Sequence, residues 1–217
     1  MSARGRFITF EGGEGAGKST QVRRLAERLR TLGLEVVTTR EPGGSPRAEA
    51  IRELLLSGRA RPLGTLGEAY LFAAARIDHI AEVIEPALGR GAVVISDRFA
   101  DSTRAYQGAA GGLPPTTVDA LERAAVGDCR PDLTLMLDIA AERGLARVAS
   151  RLGEAASDRF EADSLAIHAA RRAAFLAIAA GEPQRCVVVD ADRSADAVAA
   201  DVWAAVTARL GLAAGGG

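Results

Sequence analysis

An apolar run, Phe7-Ile8-Thr9-Phe10, delivers the chain into Gly12-Gly13-Glu14-Gly15-Ala16-Gly17-Lys18-Ser19, a match to the pattern G-x-x-x-x-G-K-[ST]. The pattern constrains a fold because it works only in one context. A strand must lead into the glycines, and a helix must start at the lysine. The glycines let successive backbone N–H groups turn inward as a nest for phosphate oxygens. The positive end of the helix dipole then points at the same spot. The stretch "RFITFE" (6–11) reads as that strand, and a helical pattern runs from about Lys18 to Leu32. Gly12 through Ser19, with Thr20, are therefore candidates for holding a nucleotide's phosphates. Lys18 would reach the β- and γ-phosphates, and Ser19 would ligate Mg²⁺.

The rest of the chain fits this beginning. Short β-branched runs at 34–39, 92–97, 133–138 and 185–192 alternate with helical patterns at 46–56, 65–88 and 194–210. In the longest helical pattern Leu71, Ala74, Ala75 and Ile77 give way to Ile80, Ile84 and Leu88. Residues 139–180 carry two helical segments separated by the polar stretch "RLGEAASDRFEADS". Alternation of this kind predicts an α/β fold of three layers, with a five-stranded parallel sheet between helices. Near-continuous apolar strands fit a sheet covered on both faces. The 217 residues suit a single domain, taken as 1–212, with a disordered tail at 213–217.

Composition narrows the function. Lys18 is the one lysine among 27 Lys and Arg residues. A GTP-dependent switch reads guanine with Asn-Lys-x-Asp, which a chain whose lysine sits at position 18 cannot contain. The use of Arg elsewhere suggests GC-rich coding and marks position 18 as a place where Arg fails. A net charge of -1 argues against a general nucleic-acid or anionic-membrane binder. Two cysteines (Cys129, Cys186) and two histidines (His79, His168) show no zinc-ligand spacing. There is no apolar stretch of bilayer-spanning length and no leader pattern, so a cytoplasmic protein with reduced thiols is expected.

At the end of the third strand run, "VVISDRF" (93–99) places Asp97 and Arg98 where open α/β sheets bind ligands. Asp97 can hold Mg²⁺ through water, and Arg98 can fork onto a phosphate. From here a resemblance becomes specific. "DRFADSTRAYQG" (97–108) resembles the Asp-Arg-Tyr/Phe…Ser…Ala-Tyr-Gln signature of thymidylate kinases. "FEGGEGAGKSTQ" resembles that family's phosphate loop, and "TREPGG" (39–44) its second strand-end loop. "YLFAAARIDH" (70–79), "DRFE" (158–161) and "VVVDA" (187–191) follow in family order over nearly the whole chain.

The resemblance implies the P-loop NTPase fold with a small mobile lid at about 147–161, and transfer of phosphate from ATP to dTMP with Mg²⁺. By the same resemblance Phe72 stacks on the thymine ring and Arg76, four residues on, hydrogen-bonds its edge. Arg98 clamps the acceptor phosphate, and Ser102, Thr103 and Gln107 line the base pocket. Tyr106 packs near the sugar, and Glu14 positions acceptor and metal. Arg40 and Glu41 lie in a substrate-facing loop with contacts left open. The loop's variable positions hold no Arg, so the catalytic arginine is expected from the lid, where Arg143, Arg147, Arg151 and Arg159 cluster; Arg147, Arg151 and Arg159 are the candidates. A homodimer is implied too. A deoxynucleoside kinase, another nucleoside monophosphate kinase and a non-catalytic ATP-binding module are the alternatives.

Overall fold

A computed structural model describes residues 4–152, 160–161 and 163–211, except for the side chains of residues 151 and 152. Much of the expected lid, including Arg159, and the tail at 213–217 lie outside the described residues, as does the side chain of Arg151.

The strand-loop-helix order expected around the glycines is present. Strand β1 (Phe7–Glu11) enters the loop and helix α1 (Lys18–Thr31) leaves it. Then come β2 (Val36–Arg40), α2 (Pro46–Leu56), α3 (Gly64–His79), a π-helical turn at Ile80–Ile84, and α4 (Glu85–Gly89). β3 (Val93–Asp97) leads to the short α5 (Ala100–Thr103), a second π-helical turn at Arg104–Ala109, and α6 (Pro115–Val126). β4 (Leu133–Asp138), α7 (Ala141–Leu152), α8 (Leu165–Gly181), β5 (Cys186–Asp190) and α9 (Ala195–Leu210) complete the chain. The sequence pattern names no element between residues 98 and 132. Gly108, Gly111 and Gly112 interrupt any helical period there, and the π turn has no repeat long enough to register.

The sheet is parallel throughout, in the order β2-β3-β1-β4-β5. Each strand ends in a charged residue: Glu11, Arg40, Asp97, Asp138 and Asp190. The register pairs Arg40 with Asp97 and Phe10 with Asp97, so these ends meet along one edge of the sheet. Side chains that alternate along β1 serve two cores. Ile8 and Phe10 pack with Val22, Leu25 and Leu29 of α1 and Val198, Val202 and Val206 of α9. Phe7 packs on the opposite face with Ile80, Ile84, Leu88, Val94 and Phe99. Burying one such aliphatic or aromatic side chain contributes about 1.5–3 kcal/mol, so both helix layers are held firmly against the sheet.

The π turn at Ile80–Ile84 explains the changed apolar phase in the long helical pattern. The extra residue in that turn rotates the segment that follows; Ile80, Ile84 and Leu88 are buried, while Ile77, before the turn, is 51% exposed. Leu63, Leu66 and Tyr70 are exposed with it, a stripe at roughly helical spacing along α3 and the turn before it.

Candidate active site

The phosphate loop is built by glycine geometry. Gly12, Gly15 and Gly17 all have positive φ (134°, 69° and 87°), which L side chains resist. At Gly12 a Cβ would also lie 2.3 Å from the Leu137 carbonyl oxygen. Gly17 caps α1 without any side-chain hydrogen bond among the described residues, so the first N–H groups of the helix are left for an anion. Lys18 is buried, and its Nζ donates to the carbonyls of Gly12 (3.1 Å) and Gly13 (2.8 Å). Burial, with the Arg98 cation nearby, lowers its pKa from the usual lysine value. Ser19 Oγ donates to Asp97 Oδ2 at 2.6 Å.

Arg98 occupies a conformation that few arginines adopt, with φ at 73°. The surroundings hold it there. Its backbone N–H donates to the Phe10 carbonyl (2.9 Å) and its carbonyl accepts from Ser96 Oγ (2.7 Å). Glu11, fully buried at the end of β1, accepts from the N–H groups of Phe99 (2.8 Å) and Ser102 (3.2 Å) and from Ser102 Oγ (2.7 Å). The twist aims the guanidinium back over the phosphate loop. There it donates to the Gly12 carbonyl (3.1 Å), Ser102 Oγ (3.1 Å), Tyr106 Oη (2.9 Å) and Glu14 Oε1 (2.6 Å). Tyr106 Oη also donates to Glu14 Oε1, at 2.5 Å.

Three neighbours thus converge on one carboxylate. Burial pushes Glu14 upward, but the cations of Arg98 and Lys18 and the Tyr106 hydroxyl outweigh it, leaving a pKa of about 2. Glu11 goes the other way: burial and the nearby Asp101 carboxylate raise it to about 7 against the pull of Arg98. Burial and the neighbouring Glu14 raise the Tyr106 phenol. Its ring is fixed between Phe160 (5.8 Å), Phe175 (6.3 Å) and the Arg171 guanidinium (4.2 Å).

A cavity of about 370 Å³ opens beside this cluster. It brings together Glu14, Gly15, Gly17, Lys18, Ser19, Thr20, Asp97 and Arg98 at one end with Arg40, Phe72, Arg76, Ser102, Thr103, Tyr106 and Gln107. Gly12, Gly13 and Ala16 shape the loop without lining the cavity, Ala16 being buried. Arg143 and Arg147 do not line it either. Arg143 forks onto Asp192 (2.8–3.2 Å), and Arg147 donates to the Ala191 carbonyl (3.0 Å), both at the end of β5.

Arg40 donates to both oxygens of Glu49 (3.1 and 3.2 Å). Glu41 is buried, and its Oε2 accepts from Arg76 Nε (2.8 Å). Arg76 is completed by the Phe99 carbonyl (3.1 Å) and Thr103 Oγ1 (3.2 Å). Sequence reasoning names neither Arg52 nor Phe160 as cavity residues, and both line it. Phe160 could have been found from the "DRFE" match, since its ring meets Phe72 (6.1 Å) as well as Tyr106. Arg52 has no comparable signal.

The site thus joins a phosphate nest to an aromatic and guanidinium pocket within one cavity, the form expected for two nucleotides held end to end. A family model described as thymidylate kinase matches residues 10–202. The thymidylate kinase of Nitrobacter winogradskyi is 60% identical over 205 residues, covering 94% of this chain and 89% of that protein. The thymidylate kinase of Bradyrhizobium diazoefficiens is 54% identical over 209 residues, covering 96% and 92%. The crystal structure of thymidylate kinase from Ehrlichia chaffeensis superposes with a TM-score of 0.74 at 33% identity, covering 94% of this chain and 99% of that one. With the family's model spanning most of its length and its own fold and loop geometry in accord, the chain belongs to the thymidylate kinase family.

Proposed function

We propose that the chain transfers the γ-phosphoryl group of ATP to dTMP, giving ADP and dTDP, through the cavity between the phosphate loop and Phe72. The observation that carries this reading is the placement of Arg98. It is pinned by a strained backbone over the phosphate loop, and it lines the same cavity as Phe72 and Arg76. A cation there suits an acceptor that already bears a phosphate.

Phosphoryl transfer asks little covalent work of a protein and much alignment and charge neutralisation. Lys18 would turn from the Gly12 and Gly13 carbonyls to the donor's phosphates. Arg98 would hold the acceptor phosphate against Glu14, whose low pKa keeps it anionic and keeps the guanidinium aimed. Ser19 Oγ and Asp97, already in contact, form an oxygen donor pair that fits Mg²⁺, which would neutralise phosphate charge when bound. Phe72 would stack on thymine and Arg76 would read its edge, with Ser102, Thr103 and Gln107 around the base. Tyr106, locked by three neighbours, would close the space beside the sugar where a 2′-hydroxyl would have to fit.

Residues 1–212 act as one kinase domain in this reading, with a lid at about 147–161 that supplies an arginine and excludes water. The protein works in the cytoplasm as a homodimer, for which the exposed stripe of Leu63, Leu66, Tyr70 and Ile77 offers an apolar face. A coupled assay with dTMP and thymidine as rival acceptors tests the function. Turnover with dTMP and little with thymidine is the expected result. The reverse makes the chain a nucleoside kinase, and ATP binding without dTDP makes it a non-catalytic module.

A further inference from the structure

Arg76 is nearly fully buried on α3, and so is His79 one turn later. Thr39 and Glu41 stand two residues apart at the end of β2, with side chains on one side of the strand. The four interleave. His79 Nε2 pairs with Thr39 Oγ1 at 2.6 Å, and His79 Nδ1 meets Glu41 Oε1 at 3.1 Å. Glu41 Oε2 accepts from Arg76 Nε at 2.8 Å and lies 2.7 Å from Nη2. An ionised carboxylate only accepts, so Nδ1 carries a proton whichever partner donates at Nε2.

Gly44 makes the arrangement possible. It has a φ of 91°, and a Cβ there would lie 2.5 Å from both His79 Nε2 and Thr39 Oγ1. His79 does not line the cavity, so it touches no substrate in the reading above. Yet it is the group that fixes the far oxygen of the carboxylate on which Arg76 rests. A buried carboxylate bonded at one oxygen alone can rotate, and a guanidinium bonded to it would turn with it.

We infer that His79 is a positioning residue for acceptor recognition: held by Thr39, it sets the angle of Glu41 and thereby the edge that Arg76 offers to the base. The inference rests on the reading of Arg76 as the base-edge donor. It also explains why the polar side of α3 packs on the "TREPGG" loop through a histidine, when an apolar residue would fill the space without a polar group to satisfy.

The test compares steady-state kinetics of the full chain with His79→Leu, His79→Asn, His79→Gln and Arg76→Met, using dTMP and dCMP as acceptors. His79→Leu should raise KM for dTMP by about tenfold, the loss of a hydrogen bond to a charged group, with kcat and KM for ATP within twofold. Its preference for dTMP over dCMP should fall. Asn places an N–H near the position of Nδ1 and should restore most of the loss, whereas Gln reaches only toward Thr39 and should not. If His79→Leu fails to fold, the Asn and Gln pair decides alone: Gln as good as Asn overturns the inference. So does a His79→Leu enzyme with unchanged KM and base preference, or one in which kcat and both KM values worsen together without rescue by Asn. If Arg76→Met keeps the base preference, the reading of Arg76 itself has failed, and the role of His79 with it.

Discussion

Gly15 of the phosphate loop and Gly144 of α7 meet backbone to backbone. A Cβ on Gly15 would lie 2.1 Å from the Gly144 carbonyl oxygen, and one on Gly144 would lie 2.3 Å from the Glu14 carbonyl oxygen. The contact seats α7 on the loop that is to hold the phosphates. Gly144 sits inside a helix, where alanine is ordinarily better by about 1 kcal/mol. Here the sign should reverse. Gly144→Ala should lower the melting temperature, at a cost of about 1–3 kcal/mol from overpacking, and reduce turnover with it. A variant more stable than the parent by thermal melting would contradict the contact.

Lys18 holds two carbonyls of the phosphate loop with one ammonium. Arginine presents a wider planar fork that cannot enter the same nest. Lys18→Arg should melt near the parent temperature and lose about 10²-fold or more in kcat. Near-parental activity in a coupled assay would refute both the placement and the idea that this lysine survived because arginine fails there.

Much of this site was legible in the sequence, because the motif residues act through local backbone geometry. Gly12 through Ser19 announce the loop by spacing alone, and Asp97 and Arg98 announce themselves by ending an apolar strand. Other features depend on partners far away in the chain. Glu41 is satisfied by Arg76 and His79, 35 and 38 residues later, and no local pattern encodes those pairings. Glu11 reads as the polar end of a strand, yet it is the acceptor that holds the Phe99–Ser102 turn. Arg143 and Arg147 read as lid arginines, while the structure pairs them with the end of β5, because Asp192 offers a carboxylate beside α7.

Glu11 and Glu14 should give opposite pH signatures in stability. Glu14 has its pKa depressed from 4.5 to about 2. Its contribution is therefore present above pH 4.5 and is lost as pH falls through about 2. Glu11 is raised from 4.5 to about 7, so its contribution is complete below pH 4.5 and is lost as pH rises through about 7. In urea unfolding, the stability lost on Glu14→Gln should shrink on going from pH 5 toward pH 2. Glu11→Gln should flatten the parental decline between pH 5 and pH 8. Parallel profiles for parent and both variants would count against the two assignments.

The apolar stripe on α3 makes a separate prediction. Leu63, Leu66, Tyr70 and Ile77 are 57%, 44%, 58% and 51% exposed, and they form the apolar face of the proposed homodimer. Tyr70→Glu and Ile77→Arg should each shift the chain from dimer to monomer in sedimentation at micromolar concentration. Both should leave the helical content of the chain unchanged by circular dichroism. A parent that sediments as a monomer would remove the proposed interface.

The lid arginines remain the sharpest test of mechanism, because the phosphate loop contains no arginine to share the work. In the proposed mechanism the lid adds a cation to Lys18 and Arg98 at the transferring group, and by analogy with arginine fingers it should be worth about 10³-fold in kcat, or ~4 kcal/mol. Arg147, Arg151 and Arg159 are the candidates. Arg147 rests on the Ala191 carbonyl and near Asp192, so it must leave those partners to act. Asp192→Asn would then help a catalytic Arg147 by loosening its hold. At least one single alanine substitution among the three should cost about 10³-fold in kcat while leaving KM for dTMP within a few-fold. If all three remain within tenfold of the parent, charge on the transferring phosphoryl is neutralised by Lys18, Arg98 and the metal without help from the lid.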